Sequence, residues 1–173
     1  MKDVLIVVDM QRDFVSGILG SPEAKAILSP LRQFLDAWQG AVIYTRDTHP
    51  QNYLKTREGR LLPVPHCIKG TEGWEIEPLL SPRAEDRVID KPTFGSEELV
   101  AFLKEENRKE PLRRIVLTGV CTDICVISNA MLVKAAFPEC EVEIMASLSA
   151  GVTPERHETA LSAMEACQIT VVR

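Results

Sequence analysis

The sequence predicts an α/β fold: a doubly wound, three-layer α/β/α sandwich around a mainly parallel sheet. Two observations predict it. Short β-branched runs alternate with segments of helical apolar spacing along the whole chain. The strand runs are also apolar on both faces, as strands covered by helices on each side must be. Crossovers in such a sheet are right-handed. The 173 residues suit a single domain over 1–173, long enough to bury a core.

The elements follow in order. Val4-Leu5-Ile6-Val7-Val8 is the first strand, and it runs into the carboxylate of Asp9. Residues 22–38 have helical spacing, with Leu28, Leu31, Phe34, Leu35 and Trp38 apolar. Ser21 is the N-cap of this helix and Pro22 its first residue. Pro30 is able to split it. Gly40 closes it, and Ala41 to Thr45 form the second strand. Residues 46–82 read as an irregular, proline-rich loop, and so long a loop inside a compact domain is usually functional. Val88-Ile89 is a short strand. Ser96 caps a helix that runs to about Asn107. Ile115-Val116-Leu117 is a buried strand, broken by Gly119 before an apolar helix over 123–136. Val142, Ile144 and Met145 mark the next strand. Ser149 or Thr153 opens the last helix, and residues 169–172 form the final strand. No repeat, linker or second domain is visible.

Composition excludes several classes. Hydrophobic residues make up 45% and charged residues 26%, a globular balance. The net charge of −5 argues against a nucleic-acid partner, because phosphate binding needs a basic surface. No apolar stretch approaches the roughly 20 residues that span a bilayer, so no membrane role is expected and the chain reads as cytoplasmic. Five scattered cysteines, an odd number, read as free thiols rather than a disulfide framework.

Ligands in such sheets bind beyond the carboxyl ends of the strands. Attention therefore falls on Asp9, on residues 45–49 and on residues 119–125. Cys125 stands near the start of a helix, where partial positive charge favours a thiolate and free N–H groups can hold an oxyanion. The same residue also reads as a small buried hydrophobe. Asp9 reads either as a cap on the strand-to-loop turn or as a general base with a raised pKa. Lys91, just before Pro92, reads by itself as a solvated loop charge. Asp47-Thr48-His49, with His66 later in the same loop, offers donors suited to zinc, iron or manganese. Local hydrogen bonding is the alternative. His157 reads as an ordinary helix histidine. Cys121 and Cys125 lack the second ligand pair that structural zinc requires. A redox pair stays open, since helical Cys-x-x-x-Cys spacing puts the Cα atoms about 6 Å apart.

Four segments together resemble one family, the isochorismatase-like cysteine hydrolases, and within it the nicotinamidase/pyrazinamidase branch. They are Val8-Asp9-Met10-Gln11-Arg12-Asp13-Phe14, Thr45-Arg46-Asp47-Thr48-His49-Pro50, Lys91-Pro92-Thr93-Phe94, and the stretch Leu117-Thr118-Gly119-Val120-Cys121-Thr122-Asp123-Ile124-Cys125-Val126. The resemblance implies a Rossmann-like sandwich with Cys125 as nucleophile, Asp9 as general acid/base and Lys91 as the third catalytic residue. It implies an oxyanion hole from the N–H groups of Cys121 and Cys125, with a cis peptide between Val120 and Cys121. Asp47, His49 and His66 match metal positions, with Glu58 as a further candidate. The implied cofactor is a divalent metal ion, zinc first, with iron or manganese as alternatives. The implied partner is a small-molecule amide, nicotinamide first or another carbamoyl or ureido compound, and relatives often self-associate as homo-oligomers. Phe14, Leu19 and Phe94 would be the apolar walls for a flat ring.

The chain departs from the family at two places. Pro63-Val64-Pro65 stands where an aromatic residue usually precedes the second metal histidine. Gly95-Ser96-Glu97 follows Phe94 in place of the usual lysine-segment ending. Both departures touch the substrate pocket and spare the hydrolase residues. Two other readings compete: a non-catalytic scaffold, and a redox protein using Cys121 and Cys125.

Overall fold

The computed structural model describes residues 2–173. Its elements are β1 (Lys2–Val8), α1 (Arg12–Val15), α2 (Pro22–Ala26), α3 (Leu28–Ala37), β2 (Ala41–Asp47), α4 (Arg57–Leu61), β3 (Arg87–Lys91), α5 (Glu97–Lys109), β4 (Leu112–Val120), α6 (Ile127–Ala136), β5 (Glu141–Ala150), α7 (Pro154–Ala166) and β6 (Thr170–Val172). The strands form one sheet in the order β3-β2-β1-β4-β5-β6, with every neighbouring pair parallel. Chain order reverses between β1 and β4, which creates the crevice where ligands of such sheets bind.

Strand β1 shows why the sandwich has three layers. Its residues from Val4 to Val8 are all buried. Val4, Ile6 and Val8 pack on one face against Leu99 and Leu103 of α5, Ala130 and Val133 of α6, and Leu161 and Met164 of α7. Leu5 and Val7 pack on the other face against Val15, Leu31, Leu35 and Leu80. Each such side chain contributes roughly 1.5–3 kcal/mol on full burial. No helix among the described residues is long and apolar enough to cross a membrane.

Several boundaries differ from the sequence reading for physical reasons. The helix expected over 22–38 is two helices, and the break lies at Ile27 rather than at Pro30. Pro30 sits in the first turn of α3, where a missing N–H forfeits no intrahelical bond. Ser21 does cap α2, its Oγ accepting from the Ala24 N–H at 3.0 Å. Ser96 caps α5 through the Leu99 N–H at 3.0 Å. Thr153 opens α7, accepting from the Arg156 N–H at 3.3 Å, while Ser149 belongs to β5. The loop over 46–82 holds the short helix α4, capped by Thr56 through the Gly59 N–H at 3.0 Å.

The apolar helix expected over 123–136 starts as something else. Thr122–Val126 form a wide π turn, and α6 begins only at Ile127. The Cys121 carbonyl accepts from the amides of both Ile124 (3.0 Å) and Val126 (3.1 Å), which opens the turn beyond α-helical width. Such π turns occur frequently at functional sites. The preceding Val120–Cys121 peptide is cis.

Gly119 sets how closely β4 approaches β1. It has φ +113°, and a Cβ there would lie 2.1 Å from the Val8 carbonyl oxygen. Both left-handed backbone and contact with a neighbouring strand thus require glycine. Gly119→Ala is expected to lower stability by about 1–3 kcal/mol or more. Urea unfolding would show this as an earlier midpoint with an unchanged slope.

Candidate active site

Asp9 follows the last residue of β1 with a left-handed backbone, φ 49°. Asp is one of the few residues that tolerate this conformation. The turn carries its carboxylate, fully buried, into the crevice between β1 and β4. The Thr45 hydroxyl donates to Asp9 Oδ1 at 2.7 Å. Lys91 Nζ stands 2.6 Å from Oδ2. That approach is not aligned as a hydrogen bond, so Oδ2 is a buried oxygen with a lone pair to spare.

Lys91 ends β3 and is buried, contrary to the solvated charge that its loop position suggests in isolation. The parallel register pairs it with Asp47 at the end of β2. Its Nζ reaches 3.5 Å from Cys125 Sγ, 3.5 Å from Asp47 Oδ1 and 3.1 Å from the Thr93 carbonyl. One ammonium therefore meets Asp9, Asp47 and Cys125, side chains brought together from three chain-distant segments.

Electrostatics assigns each group a resting state. Burial works against the Lys91 charge, but Asp9, Cys125 and Asp47 around it prevail and hold its pKa far above normal, so it is cationic. Burial pushes Asp9 upward, and the Lys91 ammonium offsets this only in part. Burial also raises Cys125, reinforced by the Asp9 charge, with Lys91 opposing. The resting sulfur is thus a thiol. This corrects the expectation that a helix start would favour thiolate: removal from water and a facing carboxylate outweigh the turn's partial charge. Burial, then Asp123, raises Cys121 to about 12, so it is also a thiol. All five cysteines are free.

A second cluster adjoins the first. One donor atom each from Asp47, His49, Glu58 and His66 lie within 4.8 Å of one another. Asp47 Oδ2 is 3.0 Å from His49 Nε2 and 3.8 Å from His66 Nε2. Glu58 Oε1 is 3.6 Å from His49 Nε2 and 3.9 Å from His66 Nε2. His66 Nδ1 lies 2.8 Å from the Val64 carbonyl, which fixes the proton there and leaves Nε2 aimed at the cluster. Two imidazoles and two carboxylates fit a divalent ion of intermediate hardness such as zinc. Glu58 reaches the cluster because α4 lifts it out of the long loop. Gln11, fully buried, holds Asp47 from behind: it accepts from the Asp47 N–H at 2.7 Å and donates to the Asp47 carbonyl at 2.8 Å.

Both clusters open into one cavity of about 560 Å³. Phe14, Leu19 and Phe94 line it, as expected of apolar walls, and Cys121 and Cys125 lie at its wall. Phe14 also packs on the His66 ring, with centroids 5.4 Å apart. Sequence reasoning missed Leu61, Leu62, Ile124, Val152 and Arg156, which line the same cavity. One signal was present: Leu61 and Leu62 are adjacent leucines in a polar, proline-rich segment, and Leu61 is 76% exposed at the mouth.

The chain is similar to known proteins over its described length. The isochorismatase domain model matches residues 3–173. The chain belongs to the isochorismatase family and is a hydrolase. An isochorismatase family protein of Bacillus subtilis (strain 168), PncA, is 31% identical over 144 residues, covering 76% of this chain and 78% of that protein. The nicotinamidase of Escherichia coli (strain K12) is 28% identical over 155 residues, covering 70% and 71%. The crystal structure of pyrazinamidase of Pyrococcus horikoshii in complex with zinc superposes with a TM-score of 0.84 at 28% identity, covering 100% of this chain and 99% of that one.

Proposed function

We propose that this chain is a metal-assisted cysteine amidohydrolase that cleaves nicotinamide to nicotinate and ammonia, returning the pyridine ring to NAD synthesis. One observation carries the reading: the Lys91 ammonium lies within 3.5 Å of Asp9, Cys125 and Asp47 at once, joining an acid–thiol pair to a metal donor set. Relatives named nicotinamidase and pyrazinamidase support the amide class.

The proposed chemistry is acyl transfer. Asp9 takes the Cys125 proton as sulfur attacks the carboxamide carbon. Burial raises the proton affinity of the Asp9 carboxylate, which suits it to general acid–base work. N–H groups at 121 and 125 receive the negative oxygen. Asp9 then returns its proton to the departing nitrogen, ammonia leaves, and a thioester remains on Cys125. Water, deprotonated by Asp9, cleaves the thioester and restores the thiol. Lys91 stays protonated and stabilises negative charge as it moves between Asp9 and sulfur. Asp47, His49, Glu58 and His66 would hold the metal, which when bound would supply Lewis-acid chemistry beside the acid–thiol pair.

The test is ammonia release from nicotinamide set beside an N-carbamoyl amino acid, with metal measured in the same samples. We expect kcat/KM to favour nicotinamide by about a hundredfold or more. We also expect metal near one ion per chain, lost together with activity in His49→Ala. Faster turnover of the carbamoyl compound would replace the substrate and keep the hydrolase. A metal-free chain that is fully active would remove the donor set from the proposal.

A further inference from the structure

The π turn that carries Cys125 is held from outside by the loop entering α7 and by that helix's first turn. Three links do this. The Thr122 hydroxyl lies 2.8 Å from His157 Nδ1. The Val152 N–H donates to Asp123 Oδ1 at 2.9 Å. The Arg156 guanidinium stands 3.8 Å from Asp123 Oδ2, at the exposed edge. Of these, the Thr122–His157 contact is the interior one, since Thr122 is fully buried. A threonine at the start of a helical turn usually spends its hydroxyl on the turn's own amides. Here the turn has no side-chain cap, and the hydroxyl crosses to another helix instead.

We propose that His157 is a positioning residue for the Cys125 nucleophile, acting through the Thr122 hydroxyl; this rests on the thiol chemistry proposed above. Burial lowers the proton affinity of His157 and favours the neutral ring. Its Nδ1 shares one hydrogen bond with the Thr122 hydroxyl, while Nε2 lies 4.0 Å from the Glu158 carboxylate. Gly151 lets α7 come this close: a Cβ there would lie 2.9 Å from the His157 nitrogen. Thr122 and Cys125 belong to the same five-residue turn, so a shift of the first moves the second. Within that turn the Cys121 carbonyl accepts two amides, and Asn129 Nδ2 donates to the Cys125 carbonyl at 2.8 Å. The His157 bond adds a constraint from the turn's other end on where the sulfur and the turn's amides point.

The test compares His157→Ala, Thr122→Val, their double variant and His157→Asn, in the full chain with zinc supplied. Asparagine can present a polar atom where Nδ1 stood. Ammonia release from nicotinamide and iodoacetamide alkylation of Cys125 are both measured. We expect His157→Ala and Thr122→Val each to lower kcat about ten- to a hundredfold, with KM changed less than about twofold. The double variant should be no worse than the poorer single variant, because both remove one interaction. His157→Asn should stay within about threefold of wild type. Alkylation should slow in the same order. Unchanged kcat, multiplying losses, or an asparagine variant as poor as alanine would each overturn the proposal. If no protein in the series releases ammonia from nicotinamide, the substrate proposal fails, and the alkylation order alone decides the role of His157.

Discussion

Cys125→Ala is expected to abolish ammonia release from nicotinamide, by about four to six orders of magnitude. No neighbouring group can take over. Cys121 lines the same cavity, but burial raises its pKa to about 12 and keeps it a neutral thiol. Lys91 is held protonated and has no lone pair to offer. Asp9 can deprotonate water, but direct attack on an unactivated amide lacks the thioester route. The three side chains act as a unit, so adding Asp9→Asn to Cys125→Ala should cost little more. Rapid quenching followed by mass spectrometry provides a second measurement: wild type should carry a nicotinoyl adduct, and the alanine variant none. An alanine variant that keeps more than about one part in a thousand of the activity would place the chemistry on another residue.

Much of the site was legible in the sequence because parallel strands end where ligands bind. Asp9 and Asp47 are reached by reading the ends of apolar runs, and both stand beside Lys91 in the fold. Lys91 shows what the sequence hides. A lysine before a proline reads as a solvated loop charge, and only the register of β3 on β2 places it beside Asp47 and under Asp9. Thr122–Val126 shows a second limit. Its apolar residues have helical spacing, but spacing cannot tell an α turn from a π turn; that depends on which amides the Cys121 carbonyl accepts. His157 shows a third. An isolated histidine on a helix has no local signal, and its partner Thr122 is distant along the chain. Local pattern reveals strand ends, while pairing across the sheet and between helices reveals what meets there.

Lys91→Met should cost both activity and stability, and its stability loss should grow with pH. The ammonium is the buried counter-charge shared by Asp9 at 2.6 Å and Asp47 at 3.5 Å. Methionine fills similar space without charge and leaves the Asp9 carboxylate without a counter-charge, while Asp47 keeps His49 and His66 beside it. Removing one partner of a buried pair typically costs about 3–5 kcal/mol. In wild type the folded pKa of Lys91 lies above its unfolded value of about 10.4. Its contribution is therefore complete throughout the neutral range and is lost only as pH climbs through the folded value. Asp9 has the same sign in a lower pH window, because burial raises its folded pKa above the unfolded value of about 3.9. Without Lys91 that pKa must rise further. Folded variant then holds more protons than unfolded chain from about pH 4 upward, so its stability falls as pH rises through the folded value. Urea midpoints with chelator present, taken at about pH 4.5 and pH 8, should show a small gap between wild type and variant at the lower pH and the full gap at the higher. Activity at neutral pH should fall about a hundred- to a thousandfold, the scale of losing one preorganised charge contact. An equal stability loss at both pH values would mean that Lys91 serves packing alone. Full activity in the variant would mean that charge moving between Asp9 and Cys125 needs no cation beside it.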